Sequence, residues 1–161
     1  MITLADSTVR VLAPVETLDY FDTRSAHLAR EVTPLEVWNL MMDGPQPVLK
    51  LAFRVRDAVS RLFGVKSIGG FTGKTHCTAQ VGAYLDFFLI EYSDDTTLVL
   101  TERDRHLDVM TCVSTQGQTV SITSSVRVHN LFGRVYMIPV GVAHKIIVTR
   151  LLNKLKQRLA G

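Results

Sequence analysis

The residues of this chain best suited to chemistry crowd into Asp104-Arg105-His106-Leu107-Asp108 and into the return run Arg127-Val128-His129-Asn130. A histidine and a carboxylate two positions apart on a strand share one face, as a general base and its orienting acid would. In an enzyme of cyclase or hydrolase type, His106 would be the base, Asp108 or Asp104 the orienter, and His144 the alternative base. Asp-x-His-x-Asp is also a metal-ligand spacing, but no further ligand is placed beside it, so neither a metal nor a cofactor is expected. The plainer reading, which strand register favours, is a solvent-facing row of charges paired across strands.

These residues need a sheet to position them. Apolar alternation on both sides of Gln116-Gly117 predicts a hairpin of 105–115 and 118–130 with those two residues as its turn. That register sets Leu107 opposite Val126, Val113 opposite Val120, His106 opposite Arg127 and Asp108 opposite Ser125, with Asp104 near His129. Extended through the preceding strands 84–92 and 96–102, it aligns Leu89, Leu100, Leu107 and Val126 in one apolar row facing the helices. His106, Asp108, Ser125 and Arg127 then share the opposite face.

The helical elements frame that meander. Thr33-Pro34-Leu35-Glu36 reads as a capped helix start, and the helix ends at Asp43-Gly44-Pro45. A second helix is predicted from about Pro47 to Phe63, with Val48, Leu51, Ala52, Val55, Val59 and Leu62 on one face. From Arg134 to Leu159 the spacing predicts a long final helix. Val140, Ile147, Leu151, Leu155 and Leu159 mark its apolar stripe, which Ile146, Val148 and Leu152 widen. Pro139 and Gly141 kink or start it, and His144 borders the stripe, where a histidine is more often hydrogen-bonded core than catalyst. Residues 18–28 supply a weakly patterned first strand, and residues 1–16 a loose arm. The sum is a single α+β domain over 1–161: an antiparallel meander curled around a long C-terminal helix, with two short helices inserted after the first strand.

The 65–82 stretch has little periodicity and reads as a long loop, suited to a flap over a cavity. Its Gly69-Gly70-Phe71-Thr72-Gly73-Lys74-Thr75 is not a phosphate loop, because Ile68 holds a position that needs glycine and a helix precedes where a strand should.

Composition limits the classes further. The chain has 161 residues, 47% hydrophobic and 20% charged, with two cysteines, Cys77 and Cys112, expected to be free thiols in a cytoplasmic setting. No secretory leader or membrane-spanning run is expected. All 15 acidic residues lie at or before Asp108, and the remainder carries only the basic Arg127, Arg134, Lys145, Arg150, Lys154, Lys156 and Arg158. A basic tail can dock on phosphate, an anionic surface or a partner protein. The simpler role is to complement the helix C-terminus. No aromatic residues interleave with these charges, so nucleic acid is not expected. Oligomeric state is not legible.

Asp104-Arg105-His106-Leu107-Asp108 and Val128-His129-Asn130-x-x-Gly133-Arg134-Val135-Tyr136-Met137, with Pro139 and His144 beyond, resemble the bacterial domain-of-unknown-function family 2867. Trp38, Leu40-Met41 and Phe63-Gly64-Val65-Lys66 are similar to its helical half. The resemblance runs from about Tyr20 to Leu152, with Val142-Ala143 standing where Pro-Phe would precede His144. It implies a START-like, helix-grip fold and a small hydrophobic or amphipathic ligand held between the curled sheet and the last helix. Arg127, His129, Arg134, Tyr136 and His144 are the candidates to touch such a ligand.

Overall fold

In the computed structural model, which describes residues 1–5, 7–44, 54 and 71–160, the chain folds around one antiparallel sheet. Its strands are β3 (Tyr20–His27), β4 (Tyr84–Leu85), β5 (Phe88–Ser93), β6 (Thr97–Arg103), β7 (Leu107–Gln116) and β8 (Thr119–Val128), in the spatial order β3-β8-β7-β6-β5-β4. Helix α1 (Pro34–Met42) and the 30-residue helix α2 (Leu131–Ala160) cover one face. The fold is therefore α+β, a six-stranded antiparallel sheet packed against a long C-terminal helix. The helix expected over 47–63, and the expected loop up to residue 70, lie outside the described residues.

Alternation sorts the side chains. Ala26, Val120, Ile122, Val113, Leu98, Leu100 and Ile90 point inward and pack with Val148, Leu151, Leu152 and Leu155 of α2 and with Val37, Trp38 and Met41 of α1. A side chain as large as Leu155, fully buried here, contributes about 1.5–3 kcal/mol by leaving water. Thr33 caps α1 by accepting from the Glu36 N–H at 3.3 Å. The Glu36 carboxylate turns to Arg30 instead of back to Thr33, so only half of the anticipated capping box forms.

Three expectations about register and elements are corrected. The β7–β8 turn centres on Gly117-Gln118, with Gln116 opposite Thr119, because Gly117 (φ 55°) takes the first central position that favours glycine. Every partner moves by two residues: Leu107 meets Val128 and Asp108 meets Arg127. An even shift keeps each side chain on its face, so Leu107, Val113, Val120 and Val126 remain inward. Between β6 and β7 the turn is longer than expected. The Asp104 carboxylate accepts from the N–H groups of His106 and Leu107, at 2.6 and 2.9 Å, and Leu100 consequently faces Thr111 instead of Leu107. The β5–β6 turn is also longer, with Ser93 opposite Leu98, and an irregularity between Ile90 and Tyr92 takes back one residue, so that Ile90, not Leu89, stands beside Leu100.

The N-terminal residues, expected as a loose arm, contain a two-stranded hairpin, β1 (Ile2–Thr3) with β2 (Arg10–Val11). It closes the outer face over Val99, Met110 and Cys112, with Val9, Leu12 and Tyr92 packed around them. The Arg10 N–H donates to Cys112 Sγ and the Leu12 N–H to Ser125 Oγ, while the Arg10 guanidinium stacks 3.3 Å from the Tyr92 ring centre. Both cysteines are free, Cys77 exposed and Cys112 buried.

Candidate functional site

The charged residues that the sequence grouped divide into separate environments. His106 is not on a strand face. It lies buried in the turn before β7, where Arg105 Nε donates to its Nε2 at 2.9 Å and Asn130 holds its Nδ1. The tautomer compatible with the guanidinium contact leaves Nε2 as acceptor and directs Nδ1–H to Asn130 Oδ1. Phe132 packs edge-on against it, 4.7 Å between ring centres. Asn130 also accepts from the Gly133 N–H, which starts α2 at Leu131 rather than at Arg134. With Asp104 tying the same turn, His106 and Asp104 join β7 to the start of α2.

Asp108 lies on the outer face, opposite Arg127 on β8 and Arg103 on β6, with His129 Nε2 at 3.2 Å. Arg103 in turn pairs with Glu91 at 2.7 Å. This is a half-exposed charge row running across four strands, and it does not include the His106 ring. Arg134 is exposed at the start of α2, and Tyr136 stacks on Phe132 at 6.1 Å. Among the described residues, no three His, Cys, Asp or Glu side chains gather to hold a metal ion.

His144 faces inward. Its Nε2 lies 3.1 Å from Ser124 Oγ on β8, and its Nδ1 3.4 Å from the Tyr20 hydroxyl on β3, which also donates to the Gly141 carbonyl at 3.3 Å. With the Tyr20 proton directed to the Gly141 carbonyl, the neutral tautomer that satisfies the trio has Nδ1–H donating to the Tyr20 oxygen and Nε2 accepting from the Ser124 hydroxyl. Burial lowers the His144 pKa; Asp22 opposes that shift and Arg24 adds to it. Burial likewise pushes the Tyr20 phenol up to about 12. The Arg24–Asp22 pair, at 2.9 Å, lies along the same strand, and Arg24 also donates to Thr149 of α2. Ser124, 2% exposed, is too enclosed to serve as a nucleophile for an external substrate.

A second inward cluster had no signature in local sequence. Trp38 of α1 contacts Phe71 and Phe88 edge-on, and Phe87 packs in a tilted arrangement against both phenylalanines. Next to Trp38, the Asn39 side chain donates to the His76 carbonyl at 2.8 Å and accepts from the His76 N–H at 3.0 Å, pinning the 71–82 segment across α1. Among the described residues, Trp38 Nε1 and His76 Nε2 are buried without a hydrogen-bond partner. Leaving such a group unpaired costs about 1–3 kcal/mol, so each of the two calls for an explanation.

A groove of about 800 Å³ opens elsewhere, at the hairpin-turn end of the sheet, between Thr8, Glu36, Thr96, Ser114 and Thr119. None of the predicted site residues lines it.

No curated protein and no solved structure matches the chain. Residues 14–151 match the family described as "Protein of unknown function (DUF2867)", and the chain belongs to that family.

Proposed function

We propose that the protein binds a small hydrophobic or amphipathic ligand in a START-like, helix-grip arrangement, between the inner sheet face and the helices. The observation carrying this reading is the buried Trp38 Nε1–H, which finds no acceptor among the described residues and lies beside the cluster of Phe71, Phe87 and Phe88. The aromatic wall suits a flat or chain-like apolar body. A carbonyl, hydroxyl or carboxylate on that body would complete the hydrogen bonding of Trp38 Nε1–H, while a hydroxyl could also serve His76 Nε2. His144, backed by Tyr20, would be a second polar anchor farther along the same face, and a neutral imidazole suits an uncharged or weakly polar group.

Trp38 is the chain's only tryptophan, so its fluorescence reports this neighbourhood alone. Native mass spectrometry of the purified protein should reveal a bound small molecule. Titration with long-chain fatty acids and fused-ring phenols should shift Trp38 emission, with weaker binding in Trp38→Phe. A chain that carries no extra mass, together with emission unmoved by either class, would end the proposal.

A further inference from the structure

Half of α2 presents apolar side chains away from the protein. Leu131, Val135, Ile138, Val142 and Ile146 are 76%, 59%, 72%, 62% and 49% exposed. Their spacings of four, three, four and four residues place them in one stripe along the outward side of the helix. The stripe extends for roughly 22 Å at about 1.5 Å of rise per residue. Helical rotation puts Arg134 and Lys145 along one edge of it and Arg150 beyond the other. Among the described residues no ion pair engages Arg134, Lys145, Arg150 or Lys156, whereas Arg158 is paired with Asp43.

We propose that this face docks on the surface of an anionic lipid bilayer. The five apolar side chains would enter the boundary between headgroups and acyl chains, and the flanking cations would meet lipid phosphates. Charge selects this occupant. The helix holds six cations, Arg134, Lys145, Arg150, Lys154, Lys156 and Arg158, and no acid. Packing it against the same helix of a second copy would oppose like charges, whereas an anionic surface neutralises them. By length and composition the helix could also cross a membrane. Its inner side, however, holds Val148, Leu151, Leu152 and Leu155 against the sheet, so it can lie on a bilayer but not span one without unpacking the core. The docking stands on this stripe alone and does not depend on the ligand proposal.

The test is flotation of the full chain with vesicles of phosphatidylcholine plus phosphatidylglycerol, compared with vesicles of phosphatidylcholine alone. Three engaged cations predict about a hundredfold stronger partitioning onto the anionic vesicles, weakened by added salt. Ile138→Asp with Val142→Asp should abolish flotation while leaving the circular dichroism and Tm of the chain unchanged. Failure of the wild type to float on anionic vesicles overturns the proposal, as does flotation unaffected by the double substitution. It is also overturned if the wild type sediments as a dimer that the substitutions dissociate, which would make the occupant a second copy. A large fall in Tm in the double variant would mean that another part of this chain covers the stripe in solution, with the same consequence.

Discussion

The two halves of α2 are built with opposite polarity. From Val148 onward the inward side is Val148, Leu151, Leu152 and Leu155, and the outward side holds Arg150, Asn153, Lys156 and Gln157. In the first half the inward side is Gly133, Gly141 and the hydrogen-bonded His144, while Leu131, Val135, Ile138 and Val142 face out. The second half is the ordinary amphipathic helix of a folded domain. The first half is held to the sheet by close backbone approach and polar contacts, so its apolar groups remain available for something else.

Stability should separate the halves most sharply. Leu155→Ala empties a fully buried position and should cost about 2–5 kcal/mol, because transfer and cavity terms add. Ile138→Ala, at a position 72% exposed, should stay within about 0.5 kcal/mol. Urea melts of the two variants check the contrast. Comparable losses would mean that the first half is covered after all.

The glycines give a smaller effect with a definite sign. A Cβ at Gly133 would sit 2.6 Å from the His106 carbonyl oxygen and 2.7 Å from Val128 Cγ1. Alanine improves helix propensity by about 1 kcal/mol, but overpacking against backbone costs about 1–3 kcal/mol. Gly133→Ala should therefore destabilise. At Gly141 the nearest atom is Tyr20 Cε2 at 3.0 Å, a ring edge that need yield only a few tenths of an ångström, and the gain in helix propensity offsets that strain, so Gly141→Ala should be close to neutral in the same melts.

The sequence disclosed the elements better than their neighbours. The strands, the capped start of α1 and the inward parity of Leu107, Val113, Val120 and Val126 follow from local alternation, which survives an even error in register. Partner identity depends on turn geometry, and there the positive φ of Gly117 and the Asp104 turn moved the pairings. Asn130 was a legible N-cap, and reading it as one would have started α2 in the right place. The outer hairpin was not legible, because Arg10 and Leu12 are tied to Cys112 and Ser125, more than a hundred residues away. Trp38 and His76 were missed for the same reason: their shared neighbourhood is created by Asn39 reaching a distant backbone. His144 was readable as a residue at the border of the stripe, but its partners Tyr20 and Ser124 come from β3 and β8, whose placement under α2 is tertiary.

His144 gives the finest comparison, since it lies on the inner side of the half whose outer side is apolar. Burial holds its folded-state pKa below the ordinary 6.5, so above that value both folded and unfolded chains carry a neutral ring. As pH falls below 6.5, the unfolded chain takes up the proton first and the folded state loses stability, until the folded pKa is passed and the loss levels off. The slope in that window is at most about 1.4 kcal/mol per pH unit for one proton. His144→Gln keeps a side chain that can both give and accept hydrogen bonds toward Ser124 and Tyr20, but it removes the titration. Its stability should therefore be flatter with pH than that of the wild type just below 6.5. Parallel curves for the two proteins, measured by urea melts across this range, would place the acid sensitivity in another group and leave the imidazole as a purely geometric link between β3, β8 and α2.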